Sequence, residues 1–376
     1  MGKKLKSGYT TGSCCTAAII AGLNYLLDDR KLENVQLQSL NNKKINIPIS
    51  RLRKRNNFVT SSVKKYSGDD PDVTDGIEIF VRIKKVTKLK KDSAGYIIGN
   101  TLITCGRGIG KVTKKGLRCE VGKYAINPGP LKMMELAIES ILDNKNDLYF
   151  EIKIYIPEGL EKSKKTFNPK LGIVGGISIL GSTGILNPMS EEALKDSLYI
   201  EMKVLKENSD KDYVVFVFGN YGKKYCEEIG LQASNLIVIS NYIGYMLEVA
   251  EELGYKKIIL VGHIGKGVKI AGGIFNTHSK VADARMEIMG ANAFLNGESK
   301  ENVMNILNSN TVEEACNYIE KKEFFYKISN KISEKIKNYL KTNVIECEVL
   351  LFSFKEEILG YSDNFYKLVE EVKKWV

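Results

Sequence analysis

Candidates for proton transfer are few in this chain. It has two histidines, His263 and His278, and one dense acidic run, Asp69, Asp70, Asp72 and Asp75. The acids sit in Ser67-Gly-Asp-Asp-Pro-Asp-Val-Thr-Asp-Gly76, a loop stiffened by Pro71 and bracketed by glycines. Asp70 or Asp72 could orient a substrate or accept a proton; the competing reading is a set of Asx-type turn caps. His278 stands close to Asp283 and Arg285 in the segment Gly272–Arg285. It reads either as a ligand-facing base or as a capped helix residue. On a helix, five residues of separation would set His278 and Asp283 on poorly aligned faces. The acidic run fails the EF-hand pattern, and two histidines do not make a multi-histidine metal centre. No protein metal site is expected.

Glycine loops are the second candidate chemistry. Leu171–Ser190 holds twenty uncharged residues in a row, punctuated by Gly172, Gly175, Gly176, Gly181 and Gly184. Ile173, Val174, Ile177, Ile179 and Leu180 read as a buried strand, and Gly181-Ser-Thr183-Gly184 as a loop after it. Pro188, Ser190 and Glu191 then read as a helix start. Strand, glycine loop and helix N-terminus together can hold a ligand; the alternative is glycines that serve close packing. Gly262-His263-Ile-Gly265-Lys266-Gly267 resembles a phosphate loop but lacks its first glycine, where Leu260 stands, and its closing Ser or Thr. Cys105-Gly-Arg107-Gly-Ile-Gly-Lys111 lacks dinucleotide spacing. Near the start, Thr10, Thr11 and Ser13 precede a helix over 13–29 whose N–H groups could bind an anion, or could simply be capped.

Elements must position these residues. Before residue 168, alternating strands (33–65 with a turn at Asn41-Asn42, 76–86, 147–156) mix with helices over 13–29 and 130–143. That mixture predicts an α+β domain over 1–168. From 169 the order becomes regular. Helix 190–207, strand 213–219, a helix to 230, strand 235–240, helix 241–253 and strand 256–262 predict an α/β domain with a mainly parallel sheet over 169–345. Amphipathic helices fill 299–341; a strand over 344–354 and a helix over 361–376 close the chain, the segment 346–376 being assigned to neither domain. Gly219-Asn220 and Gly262-His263 end two of the strands, where such sheets bind ligands.

Charge divides the chain. Residues 1–168 hold 31 Lys and Arg against 17 Asp and Glu, a net of +14, and the rest is net −3. Between Asn34 and Gly68 eight basic residues occur with no acid. Such a field favours a polyanionic partner, although solvated lysine faces would look the same. Nucleic acid is the macromolecular version of that partner, but between Asn34 and Lys91 only Phe58, Tyr66 and Phe80 are aromatic, thin for base stacking. Seven scattered cysteines without a CxxC pair predict reduced thiols and a cytoplasmic protein. The first residues lack an apolar signal region, and glycines, Asn187 and Pro188 break the uncharged stretch, so no membrane span is expected.

Taken together, GYTTGSCCTAA, SGDDPDVTDG, GRGIGKVTKKGL, INPGP, TFNPKLGIVGGISILGSTGILNPMSEEA, GHIGKGVKIAGGIFNTHSKVADAR and the closing LFS…ILG resemble the CbiD family, the cobalt-precorrin-5B C-1 methyltransferases of anaerobic cobalamin synthesis. The blocks span almost the whole chain in order; Asp75, Lys115 and Cys15 beside Cys14 are departures. The resemblance implies S-adenosylmethionine as methyl donor, a cobalt-bearing tetrapyrrole as acceptor with the cobalt arriving inside it, and cobalt-precorrin-6A as product. Under that reading Thr10, Thr11, Ser13, Arg107, Lys111, Lys266 and Arg285 are expected to hold the acceptor's carboxylates. Asp70, Asp72, His278 and Asp283 are expected to move a proton or fix the ring. No glycine signature of other methyltransferases is present, so the donor is placed by the strand-end rule at Gly219, Asn220, Gly262, His263 and Gly265, and at the glycine loop of Gly175, Gly176, Gly181, Thr183 and Gly184. A non-catalytic corrinoid carrier is the remaining alternative. Other enzymes of the pathway and a homo-oligomer are compatible partners.

Overall fold

The computed structural model of the chain describes residues 5–143, 145, 147–181, 183–341, 344–355 and 358–374. They form a mixed α/β protein, and its six-stranded and five-stranded sheets each combine parallel with antiparallel strands. The chain divides into two compact units, Met1–Glu191 and Glu192–Val376.

Alternation builds the sheet of the first unit. In Glu78–Val86, Ile79, Val81 and Ile83 are buried while Arg82 and Lys84 are exposed. A half-buried strand requires that period of two. The strands lie in the order Arg51–Arg55, Phe58–Lys64, Glu78–Val86, Tyr149–Tyr155, Thr101–Cys105, Tyr96–Ile98. Tyr149–Tyr155 and Thr101–Cys105 run parallel, and the other neighbours antiparallel. Helix Thr11–Asp28 lies on the apolar face, where Ser61 Oγ donates to the Ala18 carbonyl at 2.6 Å. Helix Pro128–Leu142, opened by Pro128, adds Met134 and Ile138 to the same core. The expected hairpin pairs Asn34–Gln38 with Lys44–Pro48, and Asn42 turns it at φ 60°.

In the second unit apolar runs make strands covered on both faces. Leu236–Val238, Tyr213–Val217, Lys257–His263 and Glu346–Phe352 lie side by side and parallel. Ile358–Tyr361 adds an antiparallel edge, a strand that periodicity missed. Tyr213, Val215 and Val217 pack with helices Asn220–Glu228 and Phe365–Lys373; Val214 and Phe216 pack with the opposite helical layer. Glu346–Phe352 and Phe365–Lys373 therefore belong to this unit. The helix expected over 361–376 is the shorter Phe365–Lys373.

The glycine stretch does not open the parallel sheet. Residues 169–191, read as the opening of the parallel sheet, lie in the first unit. Among the described residues they form no strand of either large sheet. Ile173–Val174 pairs with Lys111–Val112, Gly176–Ile177 with Gly108–Ile109, and Ile185–Leu186 with Gly8–Tyr9. Positive φ at Gly172, Gly175, Gly181 and Gly184 breaks the run into these short ladders. The ribbon ties the amino terminus to the loop after Thr101–Cys105. Its backbone approaches closely: a Cβ on Gly176 would stand 2.2 Å from Gly108.

Gly176→Ala is therefore expected to destabilise the protein by about 2–3 kcal/mol, because backbone and not a side chain must yield. Its neighbour Gly175 has open space, with no atom within 4 Å of the position a Cβ would take, but sits at φ 94°, so Gly175→Ala should cost only about 1 kcal/mol. Urea midpoints at unchanged slope measure both. Equal costs would contradict the packing account.

Candidate active site

The parallel sheet gathers one group of expected residues at its carboxyl edge. Chain order runs outward from Tyr213–Val217 to Leu236–Val238 on one side, and through Lys257–His263 to Glu346–Phe352 on the other. Direction thus reverses between Tyr213–Val217 and Lys257–His263, and such a reversal leaves a crevice beyond the strand ends. Gly219, Asn220, Gly262, His263, Gly265 and Lys266 lie at or just beyond the ends of these two strands.

Their roles divide. A Cβ on Gly262 would strike the Phe218 ring at 2.5 Å, and one on Gly265 would meet the His263 ring at 3.0 Å, so both glycines serve packing. Gly219 has open space around its Cβ position and precedes helix Asn220–Glu228, which has no side-chain cap. The first-turn N–H groups of that helix are donors available to an anion. Lys266 Nζ donates to the Ser240 carbonyl at 3.1 Å and lies 5.5 Å from the Phe218 ring centre. Burial and the nearby Lys269 hold the Lys266 ammonium below the usual lysine range.

His263 is fixed on all sides. Its Nδ1 accepts from Gly265 N at 3.0 Å, which leaves the proton on Nε2 to be donated to Glu313 Oε1 at 2.6 Å. The ring stacks on Phe354 at 3.8 Å and meets Phe352 edge-on. Burial lowers its affinity for a second proton, and Glu313 offsets only part of that. Glu313 also accepts from Phe354 N at 3.0 Å. Tyr221 meets Phe354 edge-on, which completes an aromatic wall. Ser353, 4% exposed, follows Phe352 at this edge, and its hydroxyl has no hydrogen-bond partner among the described residues. Glu313, Ser353 and Phe354 escaped the sequence reading; only the closing LFS block pointed at Ser353.

His278 lies in a turn before helix Arg285–Leu295, not on a helix. Thr277 N donates to the Asn241 carbonyl at 3.0 Å, which docks the turn beyond strand Leu236–Val238. His278 Nδ1 accepts from Lys280 N at 3.1 Å, and Nε2 has no partner among the described residues. Asp283 is clasped by Arg285 through two bonds of 2.6 and 2.8 Å, which hold its carboxyl below the usual range. Buried Lys269 pins the turn by donating to the Thr277 and Ala282 carbonyls. It too was not anticipated.

In the first unit the expected residues mostly serve structure. Thr10 and Ser13 form a capping box, Ser13 Oγ donates to the Gly184 carbonyl at 2.8 Å, and Thr11 Oγ1 accepts from Leu180 N at 2.8 Å. All three are buried, so the amino-terminal helix end is closed by protein. Thr183 Oγ1 bonds the backbone of Ile185, and a Cβ on Gly181 would strike Thr10. Asp70 accepts from Met189 N at 2.9 Å. Asp72 accepts from buried Lys65 at 2.6 Å and from Thr74; burial would raise its carboxyl, but these partners outweigh it and hold the group below the usual range. Arg107 is exposed at the ends of the parallel strand pair, and exposed Lys111 lies 4.9 Å from the Tyr124 ring centre. Recesses of about 560 and 220 Å³ are lined by none of the expected residues. Among the described residues no group of three or more His, Cys, Asp or Glu could hold a metal ion.

Comparison with known proteins bears on the whole chain. The family model described as CbiD matches residues 1–188, and that described as CbiD, C-terminal domain, matches residues 276–363. A cobalt-precorrin-5B C(1)-methyltransferase of Fusobacterium nucleatum subsp. nucleatum is 50% identical over 369 residues, covering 98% of each chain. One of Clostridioides difficile (strain 630) is 40% identical over 399 residues, covering 98% of this chain and 97% of its own. A crystal structure of a cobalamin biosynthesis protein (cbiD) from Archaeoglobus fulgidus is 24% identical with a TM-score of 0.39, covering 75% of this chain and 84% of its own.

Two measurements check the site. Asp72→Asn leaves the Lys65 ammonium buried without its counter-charge and should cost about 3 kcal/mol at neutral pH. Because the folded carboxyl is depressed, the gap to wild type should close as pH falls below about 4. A constant gap would contradict the pairing. For His263, the NMR titration midpoint should lie below the usual 6.5, and Glu313→Gln should lower it further. Stability carried by the neutral ring is complete above that usual value and declines as pH falls through the depressed midpoint. A midpoint above 6.5 would show that the carboxylate, not burial, dominates.

Proposed function

The chain belongs to the CbiD family, and we propose on that premise that it methylates C-1 of cobalt-precorrin-5B, giving cobalt-precorrin-6A, with S-adenosylmethionine as donor. One observation carries the reading: 50% identity across 98% of both chains to a relative named for that reaction. The relatives support it and not the nucleic-acid or carrier alternatives. We read the first unit as α+β and the second as α/β with a mainly parallel sheet, and assign the acceptor's carboxylates to the basic first unit. No helix among the described residues is long and apolar enough to cross a membrane. Seven unpaired cysteines fit a reducing compartment, the cytoplasm.

The residues at the carboxyl edge of the parallel sheet fit the donor. Gly219 leaves space for backbone-close binding, the uncapped helix Asn220–Glu228 offers N–H groups to a carboxylate, and the Ser353 hydroxyl is a buried group without a partner among the described residues. When bound, S-adenosylmethionine supplies a methyl group on a sulfonium. Tyr221 and Phe354 would exclude water from that edge, and exclusion and alignment matter more here than a protein nucleophile. His263 holds the wall through its fixed tautomer. Lys266 places one positive charge beside it. Of the four residues expected to move a proton, Asp72 and Asp283 are clasped by cations. His278 keeps an unpartnered ring nitrogen, so we assign it the proton-transfer role ahead of Asp70.

Calorimetry with S-adenosylhomocysteine tests the donor site. Gly219 has extended backbone that any residue adopts and open space around it, so Gly219→Asp should fold normally. Its carboxylate would occupy the anion position and should weaken binding at least about tenfold. Unchanged binding would move the donor elsewhere.

A further inference from the structure

The six-stranded sheet of the first unit has a second face. Helix Thr11–Asp28 lies on the side of Val59, Ser61, Ile79, Val81 and Ile83. Period two sends the alternate residues to the opposite side. Register aligns them in rows across the strands. Arg53, Thr60, Arg82 and Lys153 form one row, with Thr104 next. The row on one side of it holds Arg51, Ser62, Phe80 and Tyr155, and the row on the other side holds Arg55, Phe58, Lys84 and Glu151.

This face differs from an ordinary solvated surface. Arg53, Arg82 and Lys153 are exposed, and none is in an ion pair among the described residues. Arg82 lies 4.9 Å from the Phe58 ring centre, an arrangement that orders the guanidinium without neutralising it. Phe80 and Tyr155 stack nearly parallel, with centres 5.2 Å apart and planes at 9°. The one acid of the Phe80 strand on this face, Glu78, is occupied by Arg51 at 3.1 Å and Ser62 at 2.6 Å. A recess of about 560 Å³ opens at the same end, lined by Arg51, Lys64, Gly76, Phe80, Pro157 and Glu158 among others. Gly76 closes the SGDDPDVTDG loop, which brings that block to the rim.

We propose that the part of this sheet face left open over Arg53, Arg82 and Lys153, beside the strand Thr101–Cys105 whose Leu102 and Thr104 are buried, is the docking platform for the tetrapyrrole acceptor. Resting on the reading under Proposed function, it names residues for acceptor recognition that differ from those expected at the amino-terminal helix. The chemistry is that of a flat polycarboxylate: a broad ring face lies over the Phe80–Tyr155 pair, and peripheral carboxylates reach the cations beside it. Arg53 and Lys153 stand three strand steps apart, about 14 Å, and Arg82 lies between them. Carboxylates spread around a macrocycle match a spread of cations better than a cluster does. Exposed Arg107, at the carboxyl end of Thr101–Cys105, is placed to extend the same set toward the recess.

The test uses the full chain and uroporphyrin, an octacarboxylic porphyrin, with the visible absorption shift as readout. Wild type should bind it, and binding should weaken with added salt. Arg53→Ala, Arg82→Ala and Lys153→Ala should each weaken it about three- to tenfold, and the triple variant at least about thirtyfold. With cobalt-precorrin-5B the triple variant should raise KM while kcat and S-adenosylhomocysteine affinity stay near wild type. Urea midpoints should be unchanged, since all three side chains are exposed. Unaltered porphyrin binding and KM in the triple variant would overturn the platform. So would single-stranded RNA that displaces the porphyrin and binds more tightly. A wild-type protein that binds porphyrin through these cations yet never methylates would instead sink the enzymatic reading and leave the platform standing.

Discussion

A strand that buries one face must present the other, and this constraint shapes the first unit. Val59, Val63, Ile79, Val81 and Ile83 are buried on the side of helix Thr11–Asp28. The residues between them cannot follow. Where those residues are Arg53, Arg82, Lys84 and Lys153, burial would strand charges without partners, so the face stays open to water or to an anion. A slip of one residue would exchange the faces, and the pairing of Phe58–Lys64 with Glu78–Val86 over seven residues prevents it. The positive charge of the amino-terminal half is thereby organised into rows and not scattered.

The second unit solves a different problem. Its strands are apolar on both faces, so ligands can approach only at strand ends. The reversal of strand order between the parallel strands Tyr213–Val217 and Lys257–His263 selects which ends. Around that point the titratable groups have defined tasks. Lys266 and Lys269 tie backbone carbonyls, and Glu313 holds His263 and Phe354 together. The pattern is one of fixed geometry, which suits a transfer that depends on alignment.

Much of this is legible in residue order. Alternation around Val81 and Ile152, the Asn42 turn and the apolar runs from Tyr213 to His263 each carry a local physical signal, and each element forms. The glycine stretch misleads for an equally physical reason. Ile173, Val174 and Ile177 look like a buried strand, but Gly172, Gly175 and Gly181 adopt left-handed conformations that periodicity does not register. Its glycines meet Gly108 and Thr10, contacts between segments more than sixty residues apart. The roles of Glu313 and Lys269 are equally invisible, because their partners come together only through the fold; for Ser353 residue order offers the closing LFS block but not the burial that leaves its hydroxyl without a partner among the described residues. For Thr10, Thr11 and Ser13 residue order leaves an anion site and a plain cap both open, and buried hydroxyls bonded to residues 178–184 favour the cap.

On this account the chain places one methyl group at C-1 of a cobalt-bearing tetrapyrrole. Incubation of cobalt-precorrin-5B with S-adenosylmethionine labelled with ¹³C in its methyl group, followed by ¹³C NMR of the isolated product, addresses it directly. The account predicts a single enriched methyl resonance, borne on ring carbon C-1. Enrichment at another ring position, or none with folded protein and both substrates bound, would contradict it.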